Sequence, residues 1–168
     1  PNLVAESGSM QIYLYDGDTG RTRLLSRAAT GAPDSGAPDS GALGDSAPNN
    51  SVPGNGDSRA AAISGDGQWV AFVSGATNLV PGDTNGVADI FLHDLATGST
   101  IRVSLSSAGT QANRASDLPT LSGDGRYVAF VSAATNLVGG DGNQADDIFL
   151  YDRLAQHTSR VTVGVATA

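Results

Sequence analysis

The run Ser64-Gly-Asp-Gly-Gln-Trp-Val-Ala-Phe-Val-Ser74 is followed by a second, Asp89-Ile-Phe-Leu-His-Asp94. Both return 58 residues later, as Ser122-Gly-Asp-Gly-Arg-Tyr-Val-Ala-Phe-Val-Ser132 and Asp147-Ile-Phe-Leu-Tyr-Asp152. Working outward, Ile63 to Ser104 and Leu121 to Thr162 share 25 identities in 42 positions without a gap. A partial third copy opens the chain: Asn2-Leu-Val4 matches Asn78-Leu-Val80, and Ile12-Tyr-Leu-Tyr-Asp16 matches Ile90-Phe-Leu-His-Asp94. A fixed period of this length means stacked, equivalent supersecondary units.

Each full repeat divides into four short runs. In the first copy they are Ala60–Ser64, Gln68–Ser74, Asp89–Asp94 and Thr100–Leu105. In the second they are Leu118–Ser122, Arg126–Ser132, Asp147–Asp152 and Ser159–Val163. Asp66-Gly67 stands between the first two runs, the signal of a type I′ hairpin with positive φ at both central positions. Thr97-Gly98 turns between the last two, and Ala155-Gln156 replaces it in the second copy. Trp69, Ala71 and Val73 alternate with Val70 and Phe72, as in a strand with two different faces. Ile90-Phe91-Leu92 is apolar throughout, as in a strand buried on both faces. No segment carries a helical period.

Four antiparallel strands in chain order, repeated, are the blades of a β-propeller. The expected fold is therefore all-β, with about two and a half blades, each a four-stranded antiparallel meander. The expected division is the outer half of a first blade over 1–26, a low-complexity loop over 27–58, a full blade over 59–105, a connection over 106–116, a second full blade over 117–163 and a tail over 164–168. Closed propellers need roughly four to eight blades, so one such chain cannot close a ring. The expected partners are further copies of itself or the remaining blades of a larger propeller.

The repeat words resemble the TolB-type, WD40-like propeller repeat, whose blade reads approximately P-x-x-S-P-D-G-x-x-[IV]-A-F, then I-[YF]-x-x-D-x-x-[TS]-G. Pro119, Ser122, Asp124, Gly125, Val128, Ala129, Phe130, Ile148, Phe149 and Asp152 stand at those places. The chain departs from the pattern at Gly65 and Gly123, where the family has proline, and at Ala61, the counterpart of Pro119. The resemblance implies a propeller fold. The roles it implies are those of binding platforms, periplasmic partners and enzyme-associated domains.

The chain has 168 residues and a net charge of −8, which disfavours nucleic acid and anionic membranes as partners. Asp supplies all the acids except Glu6, and every basic residue is Arg. Asp favours turns where Glu favours helices, which agrees with strands joined by Asp-bearing turns. Cysteine is absent, so no disulfide, thiolate metal site or cysteine nucleophile exists. No apolar run approaches the ~18 residues that suggest a membrane span. The Asp-rich, Lys-free, Ser/Thr-rich composition leads us to expect an extracytoplasmic protein, and the start inside a repeat a mature piece or excised fragment. Between Ser26 and Arg59 lies an insertion carrying the tandem pentapeptide Ala32-Pro-Asp-Ser-Gly36, Ala37-Pro-Asp-Ser-Gly41, a composition that cannot build a core.

In a meander, the second-to-third loop and the blade-to-blade connection share one end. Function is expected there, because loops displayed on a rigid scaffold usually carry it. The loop reads Gly82-Asp-Thr-Asn-Gly-Val-Ala-Asp89, and again Gly140-Asp-Gly-Asn-Gln-Ala-Asp-Asp147. Oxygen donors spaced D-x-N-x-x-x-D can wrap Ca²⁺. The candidate metal ligands are Asp83, Asn85, Asp89 and the Val87 carbonyl, with Asp141, Asn143 and Asp147 in the second copy. The competing reading makes Asp83 and Asn85 turn-forming residues and Asp89 the start of the third strand.

His93 occupies the place of Tyr151 and Tyr15 and reads as a half-buried packing residue; His157 reads as solvated. Arg102 and Arg160 match each other and are expected to pair with a neighbouring blade's Asp. Trp69 and Tyr127 read as inter-blade packing. Neither histidine has a recurring acid and nucleophile beside it, so no catalytic residue is assigned and no enzymatic activity is expected. The expected function is a non-catalytic structural or protein-interaction propeller module that self-assembles or docks through exposed strand edges. The alternatives are a calcium-stabilised carbohydrate- or protein-binding propeller, with a protein or glycan ligand, and the accessory domain of a larger hydrolase.

Overall fold

A computed structural model describes residues 9–29 and 52–162. Asn2-Leu3-Val4 and the tandem pentapeptides lie outside the described residues. Ten strands, and no helix among the described residues, follow in chain order: β1 Tyr13–Asp16, β2 Arg21–Leu24, β3 Ser58–Ile63, β4 Trp69–Ser74, β5 Asp89–Asp94, β6 Thr100–Arg102, β7 Ser116–Leu121, β8 Tyr127–Ser132, β9 Asp147–Asp152 and β10 His157–Arg160. They form a two-stranded sheet β1-β2 and two four-stranded antiparallel meanders, β3-β4-β5-β6 and β7-β8-β9-β10. We call these the half-blade, the middle blade and the last blade.

The two full blades repeat each other in detail. Val73 lies opposite Ile90 and Phe72 opposite Phe91; Val131 lies opposite Ile148 and Phe130 opposite Phe149. The paired phenylalanines stack with ring centroids 5.9 Å and 5.8 Å apart. Each innermost strand carries a bulge, between Arg59 and Ala62 and between Asp117 and Thr120. Ala60 and Leu118 there adopt φ of 52°, the left-handed region, with no Gly or Asn to announce it.

The Asp-Gly turn differs from the type I′ hairpin expected. Of its residues only Gly67 has positive φ, 68°, and its N–H bonds to the Ser64 carbonyl at 3.0 Å. Asp66 stays right-handed because its Oδ1 accepts the Ser64 hydroxyl at 2.5 Å and the Gln68 N–H at 3.0 Å, which fixes a wider four-residue turn. Ser122, Asp124 and Arg126 repeat it. At the other hairpin Gln156 takes φ of 50° where the middle blade has Gly98 at 72°, so the same turn forms without glycine.

The core lies between blades. Ala71, Val73, Ile90, Leu92 and Val103 of the middle blade pack against Val128, Phe130, Phe149 and Tyr151 of the last blade. On the opposite face, Val70, Phe72 and Phe91 pack against Leu25, Ile12 and Leu14 of the half-blade. The middle blade's central strands are thus buried on both sides, which explains the unbroken apolar run Ile90-Phe91-Leu92. His93 belongs to this interior and is buried rather than half-buried.

The turns meet at close range. A Cβ on Gly65 would lie 3.2 Å from the Cα of Gly123, and the Asp66 N–H bonds to the Gly123 carbonyl at 2.9 Å. Glycine replaces the proline of the resembling repeat where these two backbones abut. Gly125 lies against the Trp69 ring, and the Arg153 guanidinium sits 3.9 Å from that ring's centroid.

A Cβ at Gly125 would come 2.2 Å from Trp69 Cδ1, whereas one at Gly67 meets nothing among the described residues. Both glycines have positive φ. Gly67→Ala should therefore cost about 1–2 kcal/mol of backbone strain. Gly125→Ala should cost about 3 kcal/mol or more, because overpacking adds to the strain. Urea unfolding of the two variants measures the difference.

Candidate functional site

The loop between β4 and β5 ends at Asp89, the first residue of β5. The neighbouring strand β6 brings Arg102 into the same buried corner. Arg102 Nη1 lies 2.8 Å from Asp83 Oδ1, a contact poorly aligned as a hydrogen bond, and 3.3 Å from Asp89 Oδ2. Asp89 Oδ1 accepts the Ser104 hydroxyl at 2.5 Å, and Asp89 Oδ2 accepts the Asn85 amide at 2.8 Å. Asn85 Nδ2 also donates to the Ala112 carbonyl at 3.1 Å, while Asn85 Oδ1 accepts the Val87 N–H at 3.4 Å.

Gln111, on the connection to the last blade, completes the corner. Its Oε1 accepts Arg102 Nη1 at 3.0 Å and the N–H groups of Thr84 and Asn85 at 3.1 Å each. Its Nε2 donates to the Gly82 carbonyl at 2.9 Å and to Thr84 Oγ1 at 3.0 Å. Burial holds the Asp83 carboxyl above its ordinary pKa, against the pull of Arg102.

The last blade repeats the arrangement. Arg160 Nη1 lies 2.9 Å from Asp141 Oδ1 and 3.5 Å from Asp147 Oδ2. Thr162 donates to Asp147 Oδ1 at 2.5 Å and Asn143 to Asp147 Oδ2 at 2.9 Å. The Thr162 hydroxyl, then Asn143 and Arg160, hold the Asp147 carboxyl below its ordinary pKa. The half-blade keeps the clasp without the charges. Gln11 stands where the others have Asp89 and Asp147, and Leu24 stands where they have Arg102 and Arg160. Ser26 donates to Gln11 Oε1 at 2.6 Å and accepts the Ile12 N–H at 2.9 Å. Acid and base have been exchanged together for a neutral pair.

Each arginine therefore pairs with the acids of its own blade, not with a neighbouring blade's, because β6 and β10 lie directly beside the strands that those acids begin. Calcium would need roughly six to eight oxygen ligands. The loop brings Asp83, Asn85 and Asp89 together as expected, but turns an amide nitrogen and a guanidinium toward the carboxylates. Among the described residues no group of three or more His, Asp or Glu side chains is placed to hold a metal ion. In this arrangement the carboxylates face the Arg102 guanidinium and the Asn85 amide, and the guanidinium supplies positive charge from within.

Residue-by-residue reading missed Gln111, and also Ser104 and Thr162. A hydroxyl at the same place in all three copies, Ser26, Ser104 and Thr162, was the available signal. A second clasp was equally silent. Asn55 Nδ2 donates to Thr77 Oγ1 at 3.0 Å and Asn55 Oδ1 accepts the Thr77 N–H at 2.8 Å; Asn113 and Thr135 repeat both bonds, each at 3.0 Å. These bonds tie each inter-blade connection to the loop of the blade it enters.

The remaining candidates take packing roles. His93 Nδ1 lies 2.9 Å from Thr100 Oγ1, and burial, reinforced by Arg27 and Arg23, lowers its pKa to about 4. His157 is exposed at the start of β10. Asp16, Asp94 and Asp152 each accept two backbone N–H groups of the following turn. Trp69 packs against Arg153, Gly125 and the inter-blade core, as its packing reading expects.

No protein-family model matches the chain, and no curated protein is similar enough to match. Solved structures do. The putative TolB from Agrobacterium tumefaciens superposes with a TM-score of 0.54 at 19% identity, covering 95% of this chain and 40% of that one. TolB from Acinetobacter baumannii gives 0.47 at 22% identity over 91% of this chain and 26% of that one. The tricorn protease gives 0.47 at 15% identity over 89% of this chain and 10% of that one. The first likeness establishes the TolB-type β-propeller fold. The chain spans about two fifths of that relative's length.

Removing the internal cation should be costly. Arg102→Leu leaves Asp83 and Asp89 buried without their counter-ion and should lose about 3–5 kcal/mol. Arg160→Leu should lose less, since Arg160 is more exposed. Millimolar calcium should leave the wild-type melting temperature unchanged, because only a ligand bound to the native state raises it.

The buried histidine gives a pH signature. Its folded pKa lies near 4 against 6.5 unfolded. The unfolded chain therefore binds the extra proton first as pH falls. Stability is full above pH 6.5 and declines between 6.5 and 4, by on the order of 3 kcal/mol in all. His93→Tyr, the residue found in the other two copies, should flatten the melting temperature across that range.

Proposed function

We propose that the chain is a non-catalytic structural and protein-interaction module of a β-propeller, extracytoplasmic, which associates through its incomplete first blade. The observation that carries the proposal is the edge of β1. β1 pairs with β2 on one side, and among the described residues has no strand on the other. In the middle blade the equivalent strand β5 is bonded along its whole length to β4. Ile12 turns its carbonyl to Leu25 and its N–H to Ser26, on the β2 side. By the alternation of an antiparallel strand, Tyr13 and Tyr15 turn their N–H and carbonyl groups to the open side. Such an edge is a template for another strand. A second copy of the chain, or an inner strand from the rest of a larger propeller, supplies the pairing.

The non-catalytic part is supported by how the polar residues are used. Asp83, Asp89, Asp141 and Asp147 are engaged by Arg102 and Arg160, and His93 is buried against Thr100. Among the described residues no helix is long and apolar enough to cross a membrane.

Light scattering on a sizing column should give a discrete multimer of the 16.9 kDa chain. Tyr15→Pro removes one outward N–H from the edge while leaving the β1-β2 bonds, and should lower the native mass with the fold intact by circular dichroism. A wild-type chain that is a well-folded monomer overturns the proposal.

A further inference from the structure

We infer that the seam between the half-blade and the middle blade is an acid-labile joint: protonation of His93 opens it, while the seam between the middle and last blades holds.

The two seams share one plan and differ in chemistry at one place. Beside the last blade, Tyr151 lines a cleft together with Ile101 and Leu105 of the middle blade. Beside the middle blade, His93 takes the place of Tyr151, Arg23 that of Ile101 and Arg27 that of Leu105. The chain path agrees, since Arg27 bridges to Pro53 as Leu105 bridges to Gln111. Three groups that carry no charge in acid are thus replaced together by two permanent cations and one titratable side chain.

His93 faces the half-blade. It lies opposite Val70 on β4, and Val70, Phe72 and Phe91 pack against Leu25, Ile12 and Leu14. Its side chain is buried, with Nδ1 2.9 Å from Thr100 Oγ1. The charged groups that bear on it are Arg27 and Arg23 from the half-blade side and Asp94 beside it on β5; β4 and β6 oppose it with Val70 and Thr100. Arg27 is held in place, because its Nη2 donates to the Gly98 carbonyl at 2.7 Å. A proton on His93 therefore sets a third cation in a site closed to water, across the seam from the other two. Desolvation and repulsion then both favour parting the half-blade from the middle blade. Burial raises the pKa of Tyr151, so the other seam gains no charge at this place in acid.

In the closed seam the pKa of His93 is about 4, against 6.5 when the ring meets water. The opening equilibrium therefore rises as pH falls through 6.5 and levels off near 4. Opening bares Val70, Phe72 and Phe91, the face that the half-blade covers.

A matched pair of amides reads the two seams separately. The Ser58 N–H bonds to the Met10 carbonyl across the first, and the Ser116 N–H to the Ala88 carbonyl across the second, both at 2.8 Å. Native-state hydrogen exchange, expressed as protection over the unstructured rate, follows each. Protection at Ser58 should fall about 20-fold from pH 7 to pH 5. At pH 5 Ser58 should be the less protected of the two, and its opening should respond only weakly to urea, as a partial opening does. His93→Tyr and His93→Gln should each abolish the fall at Ser58, the second variant guarding against a steric fault in the first. Equal protection and equal urea dependence at Ser58 and Ser116 would mean that acid loosens the whole fold, which overturns the inference. So would constant protection at Ser58 in the wild type, or a fall that survives in both variants.

Discussion

Almost everything in this structure depends on the seam where one face of a blade meets the opposite face of the next. Ile90 and Leu92 on one side, and Phe130 and Phe149 on the other, lose all or nearly all contact with water there. An isolated four-stranded meander has two apolar faces and no interior, so the sheet becomes a core only when a neighbour covers it. The close approach of Gly65 to Gly123, and of Gly125 to the Trp69 ring, sets how tightly neighbours can meet. Hydrogen bonds within each blade fix the shape of the unit. The seam converts units into a folded protein.

The polar corner serves the seam rather than competing with it. Asp89 begins β5, Arg102 ends β6, and Ser104 lies just beyond, so one carboxylate ties the ends of two strands. Gln111 then fastens the departing chain to the same corner, which fixes where the next blade begins. Leaving the carboxylates unpaired would be expensive in such a place, and the guanidinium answers that from within the fold. The half-blade reaches the same strand geometry with Gln11, Leu24 and Ser26, which shows that the hydrogen-bonded clasp is the constant and the charge pair a variant of it.

The repeat made the blades legible. A period of 58 residues, Gly67 and Gly125 at the turns, and the apolar run at Ile90 together specify strands, order and pairing. The bulge at Ala60 and Leu118 was invisible, because neither residue favours positive φ and the surrounding sheet imposes it. The turn at Asp66 was misjudged because its side chain bonds, to Ser64 and Gln68, outweigh the preference of an Asp-Gly pair for a two-residue loop. At the corner, the spacing of Asp83, Asn85 and Asp89 marked a place where acids converge. It carried no information about Arg102, which is contiguous in space through β6 and distant in the loop's own sequence. A motif read along the chain finds the ligands and misses the counter-ion supplied by the next strand.

The distinction bears on where function can reside. The two carboxylates of each loop share one internal arginine, and the turns at the opposite end are self-bonded. Among the described residues the outward N–H and carbonyl groups of Tyr13 and Tyr15 have no strand beside them, and Ile148 and Val161 are exposed. Their counterparts in the middle blade are paired along β4 or buried against the next blade. Both are directional, since a strand edge accepts a strand in register and a blade face accepts the opposite face of a blade. The pairing and the packing that fold the chain are therefore both relations between one blade and the next.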